Sequence, residues 1–127
     1  MSEAENGFGR MYYVEIPATD VATSAAFYQS VFGWNVRQRG DGEVAFDDGA
    51  GHVSGVWTLD RVPAADPGFR LYVSVQDAEV AAGRIEAAGG TIETAPDMSE
   101  VDITGYFRDP AGNLVGIHQY KPENGGA

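Results

Sequence analysis

The feature that most constrains this chain is an internal repeat. Tyr13-Val-Glu-Ile-Pro-Ala-Thr-Asp20 is an extended-looking run that leads into a helical pattern. Arg70-Leu-Tyr-Val-Ser-Val-Gln-Asp77 has the same shape in the second half of the chain. A second pair follows in the same order. Asp48-Gly-Ala-Gly-His-Val-Ser-Gly-Val-Trp-Thr58 matches Asp109-Pro-Ala-Gly-Asn-Leu-Val-Gly-Ile-His-Gln119, at a slightly longer spacing. Two ordered matches at nearly one offset describe a duplicated supersecondary unit. The offsets differ by four, which places about four extra residues between the helix and the last hairpin of the second copy.

Each copy reads as one strand, one helix and three strands. The first strand, about Met11–Ala18, alternates Tyr13, Glu15 and Pro17 against Tyr12, Val14 and Ile16. Period-two alternation is the signature of a half-buried strand. Asp20 caps the next helix, because its carboxylate accepts from the free N–H groups of a first turn. Val21, Ser24, Ala25, Tyr28 and Phe32 share one side at helical spacing. Gly33 stops the helix, since glycine enters the left-handed conformation at little cost. The second helix repeats the plan, with Asp77 as cap, Ala78, Ala81, Ala82 and Ile85 on its face, and Gly89-Gly90 as its end. Gly83 interrupts that helix, and a close helix–sheet contact would explain it. Short strands are expected near 35–39, 43–46, 53–59, 91–94, 104–107 and 114–118. Asp47-Asp48-Gly49 and Asp109-Pro-Ala-Gly-Asn113 are hairpin turns by residue type.

The reading is therefore one domain over 1–127. A first module covers about 11–60, a linker 61–69 and a second module about 70–120, with frayed tails at 1–7 and 121–127. The chain has 127 residues, 8 basic and 19 acidic, for a net charge of −11. Such a charge repels phosphate backbones and anionic lipid, so neither nucleic acid nor membrane is expected as a partner. There is no cysteine, which excludes disulfides and thiolate chemistry. The N-terminal run has no apolar core of a leader, and a soluble cytoplasmic protein is the expectation. No phosphate-binding glycine motif, nucleophile elbow or Ser/His/Asp set is present.

Two βαβββ modules, the segments Ala26-Phe27-Tyr28 and Phe32-Gly33-Trp34, and the closing Asp109-Pro110-x-Gly112-Asn113 turn resemble the vicinal oxygen chelate superfamily. That group includes glyoxalases, bleomycin-resistance proteins and extradiol dioxygenases. The resemblance covers about Met11 to Tyr120. It implies an α+β fold in which two tandem modules form a cupped, incomplete barrel with helices outside. It also implies a divalent metal, held by the first and last strand of each module. Carried over residue by residue, those positions are Tyr13, Gly55, Arg70 and Gly116. Two lack side chains and one carries a permanent positive charge. Only a tyrosinate at Tyr13 is a candidate ligand, so no metal and no cofactor are expected.

Strand alternation then assigns the lining of the cup. Tyr13, Glu15, Arg70, Tyr72 and Ser74 point inward, joined by Trp57 and His118. Tyr12, Val14, Ile16, Val56, Leu71, Val73, Val75 and Ile117 face the helices as core. An aromatic concavity with a few polar groups suits a small molecule. The ligand-binding candidates are Tyr13, Glu15, Trp57, Arg70, Tyr72 and His118. The catalytic candidates are Glu15 and His118. Glu15 and Arg70 would otherwise pair with each other, and His52 is a turn residue matched by Asn113.

The leading expectation is metal-free binding of a small aromatic or amphipathic molecule. The acidic balance favours a cationic one. The alternative is a lyase or isomerase, either metal-independent or using displaced ligands such as Glu15, His118 and Tyr13. A pure interaction module, with the cup plugged by its own side chains, is a further reading. The resemblance implies a homodimer, and open sheet edges need cover.

Overall fold

The computed structural model describes residues 4–120. Of the expected frayed tails, residues 1–3 and 121–127 lie outside the described residues, while Ala4–Asn6 form a short 3-10 turn. The chain then runs β1 (Tyr13–Pro17), α1 (Val21–Phe32), β2 (Asn35–Gln38), β3 (Val44–Asp47) and β4 (Ser54–Thr58). The second module repeats this as β5 (Tyr72–Ser74), α2 (Ala78–Ala87), β6 (Thr91–Thr94), β7 (Asp102–Arg108) and β8 (Leu114–Tyr120). Each module forms its own four-stranded sheet, ordered β1-β4-β3-β2 and β5-β8-β7-β6. In both, the outer pair that opens the sheet is parallel and the rest antiparallel. This is an α+β fold of two βαβββ modules, with no closed barrel. No helix among the described residues is long and apolar enough to cross a membrane.

The helix ends follow from the residues placed there. Asp20 and Asp77 sit in extended backbone and accept from Thr23 and from Glu79 and Val80. These bonds satisfy N–H groups that a first turn leaves unpaired. Gly33 closes α1 at φ 70°, a left-handed conformation that glycine enters without strain. Gly83 does not make the close contact expected of it: a Cβ there would meet nothing within 4 Å.

One core serves both modules. Ile16, Phe46 and Trp57 from the first sheet and Ile103, Phe107 and Ile117 from the second belong to a single buried cluster. The helices join them. Phe27 of α1 packs 5.9 Å from the Phe107 ring, and it is buried although the expected apolar side of α1 omits it. A helix wedged between two surfaces needs a wider apolar stripe than one facing a single sheet. The Tyr28 hydroxyl reaches across the modules and donates to Asp109 at 2.7 Å. Burial and the Asp109 carboxylate push the Tyr28 hydroxyl well above its ordinary pKa, so it stays protonated as the donor.

The linker is pinned. Asn113 donates to the Pro17 carbonyl at 2.7 Å and to Asp109 at 2.8 Å, and accepts from the Ala64 N–H at 2.7 Å. Leu114 N–H donates to the Ala64 carbonyl, and Arg108 donates to the Ala65 carbonyl. One buried amide thus ties together both modules and the segment between them.

Candidate functional site

The register decides which side chains leave the core. In the second sheet Tyr72 pairs with Gly116, and Ser74 with His118. Those residues, with Thr104 and Tyr106 of β7, share the face turned away from α2. In the first sheet Tyr13, Glu15 and Pro17 pair with Ser54, Val56 and Thr58. Gly55 and Trp57 therefore lie on the other side, beside Val14 and Ile16.

This corrects the expected lining at three points. Trp57 is fully buried among Tyr28, Trp34 and Phe46 rather than inward in a cup. Its indole N–H has no hydrogen-bond partner among the described residues. Val56 takes the open-face position assigned to Gly55. Tyr12 and Leu71, expected as core, are exposed. The shift in the first sheet comes from one residue. Asp48 N–H donates to the Val53 carbonyl, whereas Asp109 N–H donates to that of Asn113. The glycines at 51 and 112 match, each donating to its turn aspartate. His52 is therefore an extra residue in the first hairpin, and Val53, not His52, is the counterpart of Asn113. Beyond the turn Val56 matches Gly116 and Thr58 matches His118. Side chains alternate with a period of two, so a one-residue misalignment exchanges the faces.

The barrel is incomplete, as expected. The helix-facing sides of the two sheets share one core, and each sheet has an open face of its own. Tyr13 and Glu15 are on one open face; Arg70, Tyr72 and His118 are grouped about the other. Glu15 does not pair with Arg70. It accepts from Arg61 at 3.0 Å.

The two faces differ in what they leave available. On the first, Asp47 accepts from Asn35, Arg37 and Ser54 at 2.6–3.2 Å. Those donors, Arg37 foremost, hold its carboxyl far below the usual range. Arg39 donates to Asp41 and to the Tyr13 hydroxyl, both at 2.6 Å. On the second, the Tyr72 and Tyr106 hydroxyls lie 2.5 Å apart. The Arg70 guanidinium sits over the Tyr106 ring, 5.4 Å from its centroid. His118 Nε2 is 3.1 Å from Asp102 Oδ1. A recess of about 380 Å3 beside these groups is lined by Tyr72, Ser74, Thr104 and His118. A cleft of about 480 Å3 lies between the modules and shares Tyr72 and Ser74 with that recess. It is lined by Phe32, Trp34 and Phe46 on one side and Leu71 and Val73 on the other.

Sequence reasoning misses Tyr106 and Asp102 as site residues. Tyr106 is legible in it: the strand expected near 104–107 places Tyr106 on the same face as Thr104. Asp102 falls before that expected strand, so nothing aligns it with His118.

Two βαβββ modules with their helices on one side define the vicinal oxygen chelate fold. A family model described as a glyoxalase-like domain matches residues 13–118, and the chain belongs to that family. It is 27% identical over 133 residues to the anthracycline biosynthesis protein DnrV of Streptomyces peucetius, covering 86% of this chain and 46% of that one. It is 28% identical over 127 residues to a glyoxylase-like domain-containing protein of Didymella fabae, covering 86% and 92%. The chain spans about half the length of the other curated relatives it matches, DnrV among them. Among solved structures it is similar to TnmS3, an antibiotic binding protein from Streptomyces sp. CB03234, with a TM-score of 0.67, 20% identity, and coverage of 89% and 97%.

The strand positions that the resemblance assigns to a divalent ion become Tyr13, Val56, Arg70 and Gly116 once the register is corrected. They do not fit one: an aliphatic side chain, a glycine and a guanidinium offer no lone pair to a hard cation. Tyr13 already accepts from Arg39. Among the described residues no three His, Asp or Glu side chains gather where they could hold a metal.

Proposed function

We propose that this protein binds a small aromatic or amphipathic molecule without a divalent metal, on the open face of the second sheet. The observation that carries the reading is the substitution of ligand positions by Arg70 and Gly116, beside a recess edged by Tyr72 and His118. An aromatic wall with a few convergent polar groups is the ordinary make-up of a small-molecule site. DnrV is named for anthracycline biosynthesis and TnmS3 for binding an antibiotic, which agrees with a flat aromatic ligand.

A second copy of the chain completes the pocket in this reading. Tyr12, Phe69 and Tyr72 are among the large apolar residues left exposed, Phe69 at 99%. Several relatives carry about twice this length. Light scattering is expected to give twice the chain mass; a species of 13.5 kDa, the mass of one chain, at micromolar concentration rejects the dimer. A thermal-shift panel of aromatic compounds tests the ligand. At about 100 times its Kd a ligand adds about 2.7 kcal/mol, and a panel without any stabilising compound rejects the binding reading.

One observation favours a second reading, a metal-independent lyase or isomerase. His118 is held by Asp102 at the edge of the recess. When Nε2 donates to that carboxylate, Nδ1 becomes the acceptor, as a general base requires. Glu15, the other catalytic candidate, is paired with Arg61 on the opposite sheet and has no part in this arrangement. Turnover of any ligand found by the panel, lost in His118→Ala, would support it; turnover that survives the change removes the nominee.

A further inference from the structure

The row of residues across the second sheet contains a built arrangement. Tyr72, Gly116 and Tyr106 are consecutive register partners on β5, β8 and β7. A Cβ on Gly116 would stand 2.5 Å from the Tyr72 ring, far inside contact distance. Only glycine there lets the ring lie flat over the central strand. Lying flat, Tyr72 spans that strand and brings its hydroxyl to 2.5 Å from that of Tyr106. A pair of phenols shares one internal hydrogen bond, so one O–H remains to donate outward.

Arg70 completes the arrangement. Arg37, Arg39, Arg61 and Arg108 each bridge to a carboxylate; among the described residues none bridges to Arg70. Arg10 and Arg84 lack such a bridge too among the described residues, so what sets Arg70 apart is its surroundings. Its neighbours are instead the two phenols, with Tyr106 under the guanidinium. A cation with donors to spare, next to a phenol O–H and above an aromatic wall, is complementary to negative charge on oxygen.

We propose that Arg70, Tyr72 and Tyr106 form a binding site for an anionic oxygen, so that the aromatic ligand carries a carboxylate or phenolate. This rests on the small-molecule reading above and replaces the cationic ligand that the net charge suggests. The net charge acts over the whole surface and is screened within about 8–10 Å in physiological salt. A guanidinium in contact decides the sign at the site.

The test is calorimetric titration of the full chain with four probes. Naphthoate carries the charge, naphthamide has the same shape without it, and naphthylmethylamine reverses it. Nitrophenolate separates a phenolate preference from a carboxylate one. Naphthoate or nitrophenolate should bind at least about 10-fold tighter than naphthamide, the usual size of a charge-assisted hydrogen bond. Arg70→Gln should abolish that margin while leaving naphthamide affinity within about two-fold, and Arg70→Lys should keep part of it. Tyr106→Phe should weaken the anion about 3-fold. Equal or tighter binding of the amide or the amine, or a margin that survives Arg70→Gln, overturns the anionic site and leaves the small-molecule reading standing. Absence of binding by all four probes overturns both.

Discussion

The two modules are copies in backbone and opposites in surface chemistry. Behind the sheets they agree: Trp57 and Ile117 occupy equivalent places on their last strands, and both are buried. In front they diverge. The row Tyr72, Gly116 and Tyr106 corresponds to Glu15, Val56 and Ala45, and Arg70 corresponds to Tyr13. The first face has its arginines paired, with Arg37 on Asp47, Arg39 on Asp41 and the linker's Arg61 on Glu15. The second leaves an arginine and a phenol pair unneutralised. The lesson is that core packing holds the duplicated fold in place, while the solvent-facing register positions carry the difference in function.

The largest test of this contrast strikes the shared side. Trp57→Ala should cost about 3–5 kcal/mol and Ile117→Ala about 2–5 kcal/mol, the range for large buried side chains, read from urea unfolding. Anion affinity of the folded Trp57 variant should not change. A Trp57 variant of normal stability and altered affinity would return Trp57 to a ligand wall and break the comparison.

Next in size is the joint between the copies. Tyr28→Phe removes the donor to buried Asp109 and should cost about 1–3 kcal/mol, with one cooperative transition retained because the core is continuous. Two separated transitions would show that the modules fold independently.

A smaller, sharper effect concerns ionisation on the second face. The hydrogen bond to Tyr106 is the chief reason that Tyr72 holds its proton above the ordinary pH of phenol ionisation; partial desolvation adds to it and Arg70 opposes it. Tyr106→Phe removes the chief cause and leaves Arg70, which favours phenolate. Ultraviolet titration of tyrosine should then show one group ionising at lower pH than in the parent. An unchanged curve would mean that the phenol pair does not form.

The smallest effect belongs to the first face. Asp47 has its carboxyl pKa depressed by Arg37, Ser54 and Asn35. A depressed acid contributes stability that is present above its unfolded pKa of about 3.9 and lost as pH falls below that. Asp47→Asn should therefore lower stability at pH 7 by less than about 1 kcal/mol, as for other solvent-screened pairs. The gap between variant and parent should narrow in acid. A gap that widens in acid would contradict the pairing.

Much of this is legible from residue order. The duplication, both aspartate caps, Gly33 as a helix end and the strand–helix–three-strand plan follow from local chemistry, which the backbone obeys wherever packing does not oppose it. The second module's face is also legible, because alternation along β5 and β8 puts Tyr72 and Gly116 on one side. The first module's face is not. His52 lengthens one hairpin by a residue, and a gap in a glycine-rich turn leaves no mark on hydrophobic periodicity. Residue order alone therefore puts Trp57 on the wrong side and lets Gly55 stand in for Val56. The partner of Glu15 is hidden for another reason. Arg61 lies 46 residues away in the chain, and only the parallel crossover of β1 and β4 brings them together.

Asn113 gives the molecule a stiffness that its modular origin does not suggest. A side chain that grips β1, the connecting segment and its own hairpin at once removes the hinge that a Pro/Gly stretch would otherwise supply. Any surface assembled by two such chains would then meet as preshaped halves, with little reorganisation entropy lost on contact, and its fit would be set before the partners collide.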